Sequence, residues 1–322
     1  MEAPTPLQRL PRLSEELDRE IWIKRDDLGG TGLGGNKLRK LEFLLGDAIA
    51  RGCDTVVTFG AVQSNHARQS AAAAARLGLR CHLLLTRSVP RTDALYDSGG
   101  NRLLDDLFGA NVTVCDHDDL DSAILAIDAE LTESGATATW IAPGGSEPLG
   151  VLGYLNAARE LAAQCAEENL APSDVVVATS TGGTHAGLLQ GLGTGAGAPR
   201  VRGVAVYRPV SETTEAVALL AAGVAELMNE PAVEADSVEL DGYELGDGYG
   251  IPTDASREAQ ALFARLEGVV LDPVYTAKAA ASLIRRCGSG FDDDSFGSDA
   301  VVFIHTGGSP GVFAYGSDAL PG

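Results

Sequence analysis

The sequence predicts a two-lobed α/β fold in which mostly parallel, twisted sheets are flanked by helices. Three observations carry that expectation. Short β-branched runs alternate with longer Ala/Leu-rich stretches, the pattern of βαβ units. Strand-like runs occur along the whole chain with no repeat of fixed period. The 322 residues are 45% hydrophobic, enough to build a substantial core without disulfides or structural metals.

In chain order, the periodicity predicts a helix over 36–51, a strand over 54–60, a helix over 63–77 and a strand over 81–86. A helix over 97–108, a strand over 110–115, a helix over 118–134 and a strand over 138–143 follow. The later half reads as helix 150–168, strand 174–180, helix 183–191, strand 201–207, helices 213–227, 254–267 and 275–287, and strand 300–306. Residues 192–200 (LGTGAGAPR) read as a Gly/Ala turn, and 288–299 (GSGFDDDSFGSD) as an exposed, mobile acidic loop.

Composition excludes several functions. The chain carries 24 Lys plus Arg against 45 Asp plus Glu, a net charge of −21, which argues against a nucleic-acid partner. No apolar run approaches the length that spans a bilayer, and the N-terminal segment has no signal-peptide core, so a soluble, cytoplasmic chain without a membrane partner is expected. Five cysteines, Cys53, Cys81, Cys115, Cys165 and Cys287, are scattered without CxxC spacing, so neither a disulfide framework nor a metal site is indicated. Only Lys24, Lys37, Lys40 and Lys278 are lysines. An acidic coat almost emptied of lysine suits a halophilic source, where salt screens the self-repulsion of the carboxylates.

Three clusters carry chemistry. In 24–42 (KRDDLGGTGLGGNKLRKLE), glycines precede Asn36 and Lys37 at a helix start, with Lys40 one turn later on the same face. Two neighbouring ammonium groups in a partly desolvated pocket lower each other's pKa, which a Schiff-base lysine needs. The GxGxxG-like spacing also fits a dinucleotide turn, but IWIKRDD before it is short and charged and no acidic residue follows at the right place. In 58–69 (TFGAVQSNHARQ), a strand runs into a helix start at Ser64, Asn65 and His66, where free N–H groups favour a carboxylate or phosphate. In 175–191, a strand feeds Ser180, Thr181, Gly182, Gly183 and Thr184 into a helix, a phosphate cup without the lysine of nucleotide hydrolases. Later turns hold Tyr249, Tyr275 and Thr306.

The segments GGNKLRKLE, QSNHAR, STGGTHAG, YGIP, DPVYTAKA and HTGG, in this order from about residue 5 to 316, resemble pyridoxal-phosphate enzymes of the tryptophan-synthase-β-like fold, fold type II. Within these, the chain resembles the D-cysteine desulfhydrase and 1-aminocyclopropane-1-carboxylate deaminase family. The resemblance implies pyridoxal 5'-phosphate held covalently by Lys37, its ring hydroxyl bonded by Asn36, and its phosphate taken by Lys40, Asn65 and residues 180 to 184. Thr306 would sit near the pyridine nitrogen. Ser64, Asn65 and His66 would bind the substrate, with Tyr249 and Tyr275 facing it; Lys37, Ser64, Tyr249 and Tyr275 would be catalytic. The implied reaction is β-elimination on a small D-amino acid, D-cysteine giving pyruvate, sulfide and ammonia. In the deaminases the catalytic tyrosine is followed by Glu and the late turn reads HLGG, whereas Thr276 and Thr306 stand here, which favours the desulfhydrase branch. The alternatives are the cyclopropane deaminase giving 2-oxobutanoate, a lyase for another β-substituted amino acid such as cysteate, and a non-catalytic binder of small anions. The family implies a homodimer, with residues 1–46 and 153–322 forming the larger cofactor lobe and 47–152 a smaller mobile lobe. His185 has no role in this scheme.

The acidic coat generates a direct expectation. The urea midpoint of unfolding should rise as KCl is taken from dilute to molar concentration, and a midpoint that falls would contradict the halophilic reading.

Overall fold

Most of the predicted strands are buried on both faces, which demands a parallel sheet covered by helices on each side. A computed structural model describes residues 1–288, 296 and 299–321. The strands are β1 (Leu7–Arg9), β2 (Ile21–Arg25), β3 (Thr55–Ala61), β4 (Arg80–Thr86), β5 (Asn111–Cys115), β6 (Ala138–Ile141), β7 (Asp174–Thr179), β8 (Arg200–Ala205), β9 (Glu239–Asp241) and β10 (Val301–His305). They form a six-stranded sheet in the order β1-β2-β10-β7-β8-β9 and a four-stranded sheet in the order β5-β4-β3-β6. Among the described residues only β1 with β2 is antiparallel; every other pair is parallel.

The pleat sorts side chains between two cores in the smaller sheet. Val56, Leu83 and Leu85 pack against Leu41, Leu45, Ala67 and Ala71 on one face. Val57 and Leu84, one residue out of step, meet Ile127 and Leu131 on the other. In the larger sheet, Val175 and Val177 face the helices Pro148–Glu167, Gly183–Leu192 and Val210–Met228, while Val176 and Phe303 face Asp254–Glu267 and Thr276–Cys287.

All seven predicted strands and all nine predicted helical regions are present. The region 97–108 is the exception in detail, being two helices, Ala94–Ser98 and Gly100–Leu107, broken at an extended Gly99. The sequence reading missed β1, β2, β9 and the short helices Pro11–Glu16 and Pro310–Tyr315. Its dismissal of IWIKRDD as too short and charged needs correction, because Ile21–Arg25 lies between β1 and β10. Most of the acidic segment, residues 289–295 and 297–298, lies outside the described residues. All five cysteines are free, and no described helix is long and apolar enough to cross a membrane.

The charge in β2 is absorbed by a buried network. Arg39 donates to both oxygens of Asp26 at 2.9 and 2.8 Å and to both oxygens of Glu160 at 3.1 and 2.9 Å. Lys24 donates to the Thr5 carbonyl at 2.7 Å and to Glu160, and the Tyr154 hydroxyl donates to Asp26. Two cations thus balance two carboxylates. The network locks the helix Lys37–Ala50 onto β2 and the helix Pro148–Glu167, which cross so closely that a Cβ on Gly153 would lie 2.1 Å from the Arg39 carbonyl oxygen.

Arg39→Met should destabilise the chain by about 3–5 kcal/mol, because it strands two buried carboxylates, with urea unfolding as the measurement. Burial alone would raise the Glu160 pKa, but hydrogen bonds from Arg39 and Lys24 hold it down to about 2. Its contribution is therefore present above the unfolded carboxyl pKa and should fade as pH falls from that value towards about 2, visible as acid-induced loss of unfolding midpoint.

Candidate active site

Parallel strands end together, so the turns that leave them cluster at one edge of each sheet. The turns after β3, β6, β7, β8 and β10 line one cleft of about 470 Å³ between the two sheets. It takes in Asn36, Lys37, Lys40, Ser64, Asn65, His66, Ser180, Thr181, Gly182, Thr184, Tyr249, Tyr275 and Thr306, every sequence-predicted site residue except Gly183. Gly183 lies immediately behind, where a Cβ would come within 2.8 Å of Lys40 Nζ and of Ser146 Oγ. No Asp or Glu lines the cleft among the described residues, in a chain that has 45 of them.

Lys37 is the first residue of its helix. Asn36 bridges it to the rest of the cleft: the Lys37 amine donates to Asn36 Oδ1 at 2.9 Å, and Asn36 Nδ2 donates to Thr184 Oγ1 at 2.9 Å. The Asn36 backbone N–H is held by the Thr306 carbonyl at 3.0 Å. Burial lowers the Lys37 pKa to about 8, with Asp272 opposing the shift and Arg68 adding to it. Lys40 is pushed well down by burial and by Lys37. Its amine donates to the Gly144 carbonyl at 3.0 Å and to Ser146 Oγ at 3.1 Å. Both amines thus reach one pocket, as their spacing predicts.

The cup is made at the end of β7. Gly182 adopts φ +88°, and no side chain caps the helix that starts at Gly183, which leaves its first N–H groups directed into the cleft. Ser146 and Thr181 share a hydroxyl hydrogen bond of 2.6 Å across the cup. Gly144 and Ser146 were not found from sequence, although the PGGS run 143–146 offers the same Gly-Gly-hydroxyl signal as the cup itself.

On the opposite wall Ser64 caps the helix Asn65–Leu77, accepting from the Ala67 N–H at 3.1 Å, and its own hydroxyl hydrogen remains to be donated. Asn65 Oδ1 accepts from Asn101 Nδ2 at 2.8 Å. His66 is held neutral, its pKa driven well down by burial and by Lys37 and Lys40. Its Nε2 meets Thr58 Oγ1 at 2.8 Å, while its buried Nδ1 has no partner. The hydroxyls of Tyr249 and Tyr275 are hydrogen-bonded to each other, and burial raises the pKa of Tyr249 to about 12 and that of Tyr275 further. Tyr207 packs edge-on against Tyr249 at 4.9 Å between centroids.

Two of these placements rest on residues the sequence reading passed over. Asp272, buried, accepts from the N–H groups of Val274, Tyr275 and Thr276 at 3.0, 2.9 and 2.9 Å and so fixes Tyr275. Lys278 donates to the carbonyls of Leu245 and Gly248 at 2.8 and 3.2 Å and holds the turn before Tyr249. Thr276 donates its hydroxyl to Asp272 at 2.7 Å, is fully buried and does not line the cleft, so its side chain makes no contact there. His185 lies buried with Nδ1 3.3 Å from Thr179 Oγ1. Of the four lysines, three are buried outright and Lys37 opens only into the cleft.

The family of pyridoxal-phosphate dependent enzymes matches residues 1–307. The chain belongs to that family. D-cysteine desulfhydrases of Salmonella newport and Salmonella typhimurium are 47% identical to it over 315 residues, 97% of this chain and 94% of theirs. A crystal structure described as an ACC deaminase homologue superposes with a TM-score of 0.87 at 38% identity, over 99% of this chain and 93% of that one. The apo diaminopropionate ammonia lyase of Escherichia coli, at TM-score 0.67 and 16% identity over 99% of this chain and 86% of its own, shares the fold alone.

The cleft fits the cofactor of a pyridoxal-phosphate dependent enzyme. It offers one depressed lysine amine, a glycine cradle that a Cβ would fill at Gly183, uncapped helix N–H groups beside the Lys40 ammonium, and an unpartnered imidazole nitrogen. Gly183→Ala should weaken pyridoxal phosphate binding by about tenfold or more, roughly 1.4 kcal/mol, by crowding Lys40, as read by titrating the cofactor-free chain. Lys37→Ala should leave the purified chain without borohydride-reducible visible absorption.

Proposed function

We propose that the chain is a D-cysteine desulfhydrase, converting D-cysteine and water to pyruvate, hydrogen sulfide and ammonia. The observation that carries this reading is the 47% identity to D-cysteine desulfhydrases over 97% of the chain, joined to a cleft whose titratable lysine stands beside a phosphate cup.

In this reading Lys37 would anchor the cofactor, Asn36 would bond its ring hydroxyl, Lys40, Asn65 and the turn Ser180–Thr184 would hold its phosphate, and Thr306 would serve its pyridine ring. When bound, pyridoxal phosphate supplies the electron sink for the charge left at Cα by loss of a proton. The chain's own residues do the rest. The Ser64 hydroxyl and the free N–H groups at the start of its helix bind the substrate carboxylate, for which the cleft's lack of acidic side chains leaves no competitor. The Lys37 amine, with a pKa near 8, can take the α-proton near neutral pH and return it. The Tyr249–Tyr275 pair stays protonated, so it donates to the departing sulfur without adding negative charge beside it.

The two sheets support a two-lobed working arrangement, with 47–152, which contains the whole four-stranded sheet, as the mobile lobe and 1–46 with 153–322 as the larger one. Closure of the cleft would exclude water from the reacting centre. Assembly as a homodimer and a cytoplasmic location complete the proposal.

A cyclopropane deaminase is the second reading, favoured by the superposition on an ACC deaminase homologue. Against it stands Thr276, whose side chain is committed to Asp272 outside the cleft. The test is release of sulfide and pyruvate in concentrated KCl with added pyridoxal phosphate. D-cysteine should be turned over, L-cysteine and 1-aminocyclopropane-1-carboxylate should not, and Lys37→Ala should lower kcat on the order of a thousandfold or more. Release of 2-oxobutanoate from the cyclopropane substrate would replace this reading with the second.

A further inference from the structure

A helix start that must present a reactive side chain needs its first N–H groups satisfied, or its backbone is free to move with that side chain. Asn36, the residue before Lys37, is of a type that commonly caps helices, yet its side chain makes no cap bond. Its amide is spent on the Lys37 amine and on Thr184. The cap comes instead from the neighbouring helix Asn65–Leu77. Gln69 Oε1 accepts from the Lys37 N–H at 3.0 Å and from the Leu38 N–H at 3.2 Å, and Gln69 Nε2 donates to the Asn65 carbonyl at 2.9 Å. Gln69 is completely buried. It can sit there because residue 35 is glycine at φ +123°, where a Cβ would come within 2.7 Å of the Gln69 amide.

We propose that Gln69 is a positioning residue for the reaction, tying the helix start that carries Lys37 to the helix start that faces the substrate carboxylate. This rests on the reading of Lys37 as the cofactor's anchor. The Lys37 side chain must exchange partners during each turnover, and an amide that holds both the Lys37 N–H and the Asn65 carbonyl keeps the backbone under each of them at a fixed separation. The cleft then reacts as one rigid unit when the Lys37 amine moves.

Two substitutions separate the halves of that tie. Gln69→Glu keeps the acceptor for both N–H groups, loses the donor to Asn65 and adds a negative charge beside Lys37. Gln69→Leu loses both hydrogen bonds and adds no charge. The measurements are pH titration of the holoenzyme's visible absorption, kcat and KM for D-cysteine, and thermal unfolding, with Lys37→Ala alongside. The expected result is a Gln69→Glu enzyme that melts close to the parent but whose absorption titrates about one unit higher, since a nearby carboxylate favours the protonated nitrogen. Gln69→Leu is expected to lower kcat by about ten- to a hundredfold with a much smaller change in KM. An unmoved titration in Gln69→Glu together with an unchanged kcat in Gln69→Leu would overturn the proposal. Melting losses in both variants with parent-like titration and kcat would also overturn it, by showing a purely structural cap. Failure of the underlying reading looks different: Lys37→Ala would then retain a borohydride-reducible band.

Discussion

Arg39, buried between Asp26 and Glu160, is the interaction on which the rest of the cleft depends. A guanidinium satisfied on both edges by carboxylates has little freedom to roll, and the helix that carries it cannot roll either. Lys37 and Lys40 share one face of that helix while Arg39 takes another, so fixing Arg39 aims both amines. The anchoring charges sit on the turn that follows β2 and on the helix Pro148–Glu167, and Gly187 of the cup's own helix packs against Tyr154 of the latter. Amine and cup are thus referred to a single buried junction.

The electrostatics of the cleft follow from what is kept out as much as from what is let in. Burial lowers the pKa of both amines, and the neighbouring Lys37 charge pushes Lys40 down further, so each releases its proton more readily than it would in water. A carboxylate in the lining would cancel that effect, and the lining has none among the described residues. Asp272 comes nearest in influence, opposing the Lys37 shift, but its oxygens are occupied by three backbone N–H groups and the Thr276 hydroxyl. An acidic chain can therefore maintain a basic interior at the place where anionic ligands fit.

Much of this was legible in the sequence. Period-2 and period-3.6 patterning located every long element, because those elements bury one residue type on a regular face. The cleft lining was readable because strand ends followed by glycine and hydroxyl residues have few other uses. What escaped was of two kinds. In β2 the pattern was masked by Lys24 and Arg25, whose charges are neutralised by Glu160 and Asp27, residues that patterning along a single strand cannot bring together. Ser146, Gln69, Asp272 and Lys278 act on segments far away in the chain, and no local spacing announces such partners.

The interior placement of the four lysines has a consequence for how the cofactor arrives. An aldehyde condenses with any accessible amine, and an ordinary enzyme coated in lysines offers dozens of decoys that form and release adducts. Here Lys24 and Lys278 are buried away from the cleft and Lys40 is buried in its wall, so the side-chain amine open to a diffusing aldehyde is that of Lys37, whose proton burial makes easier to shed. Apart from the α-amino group, the polypeptide's nucleophilic nitrogen chemistry is concentrated at a single address, so loading selects its own site without needing a surface that discriminates.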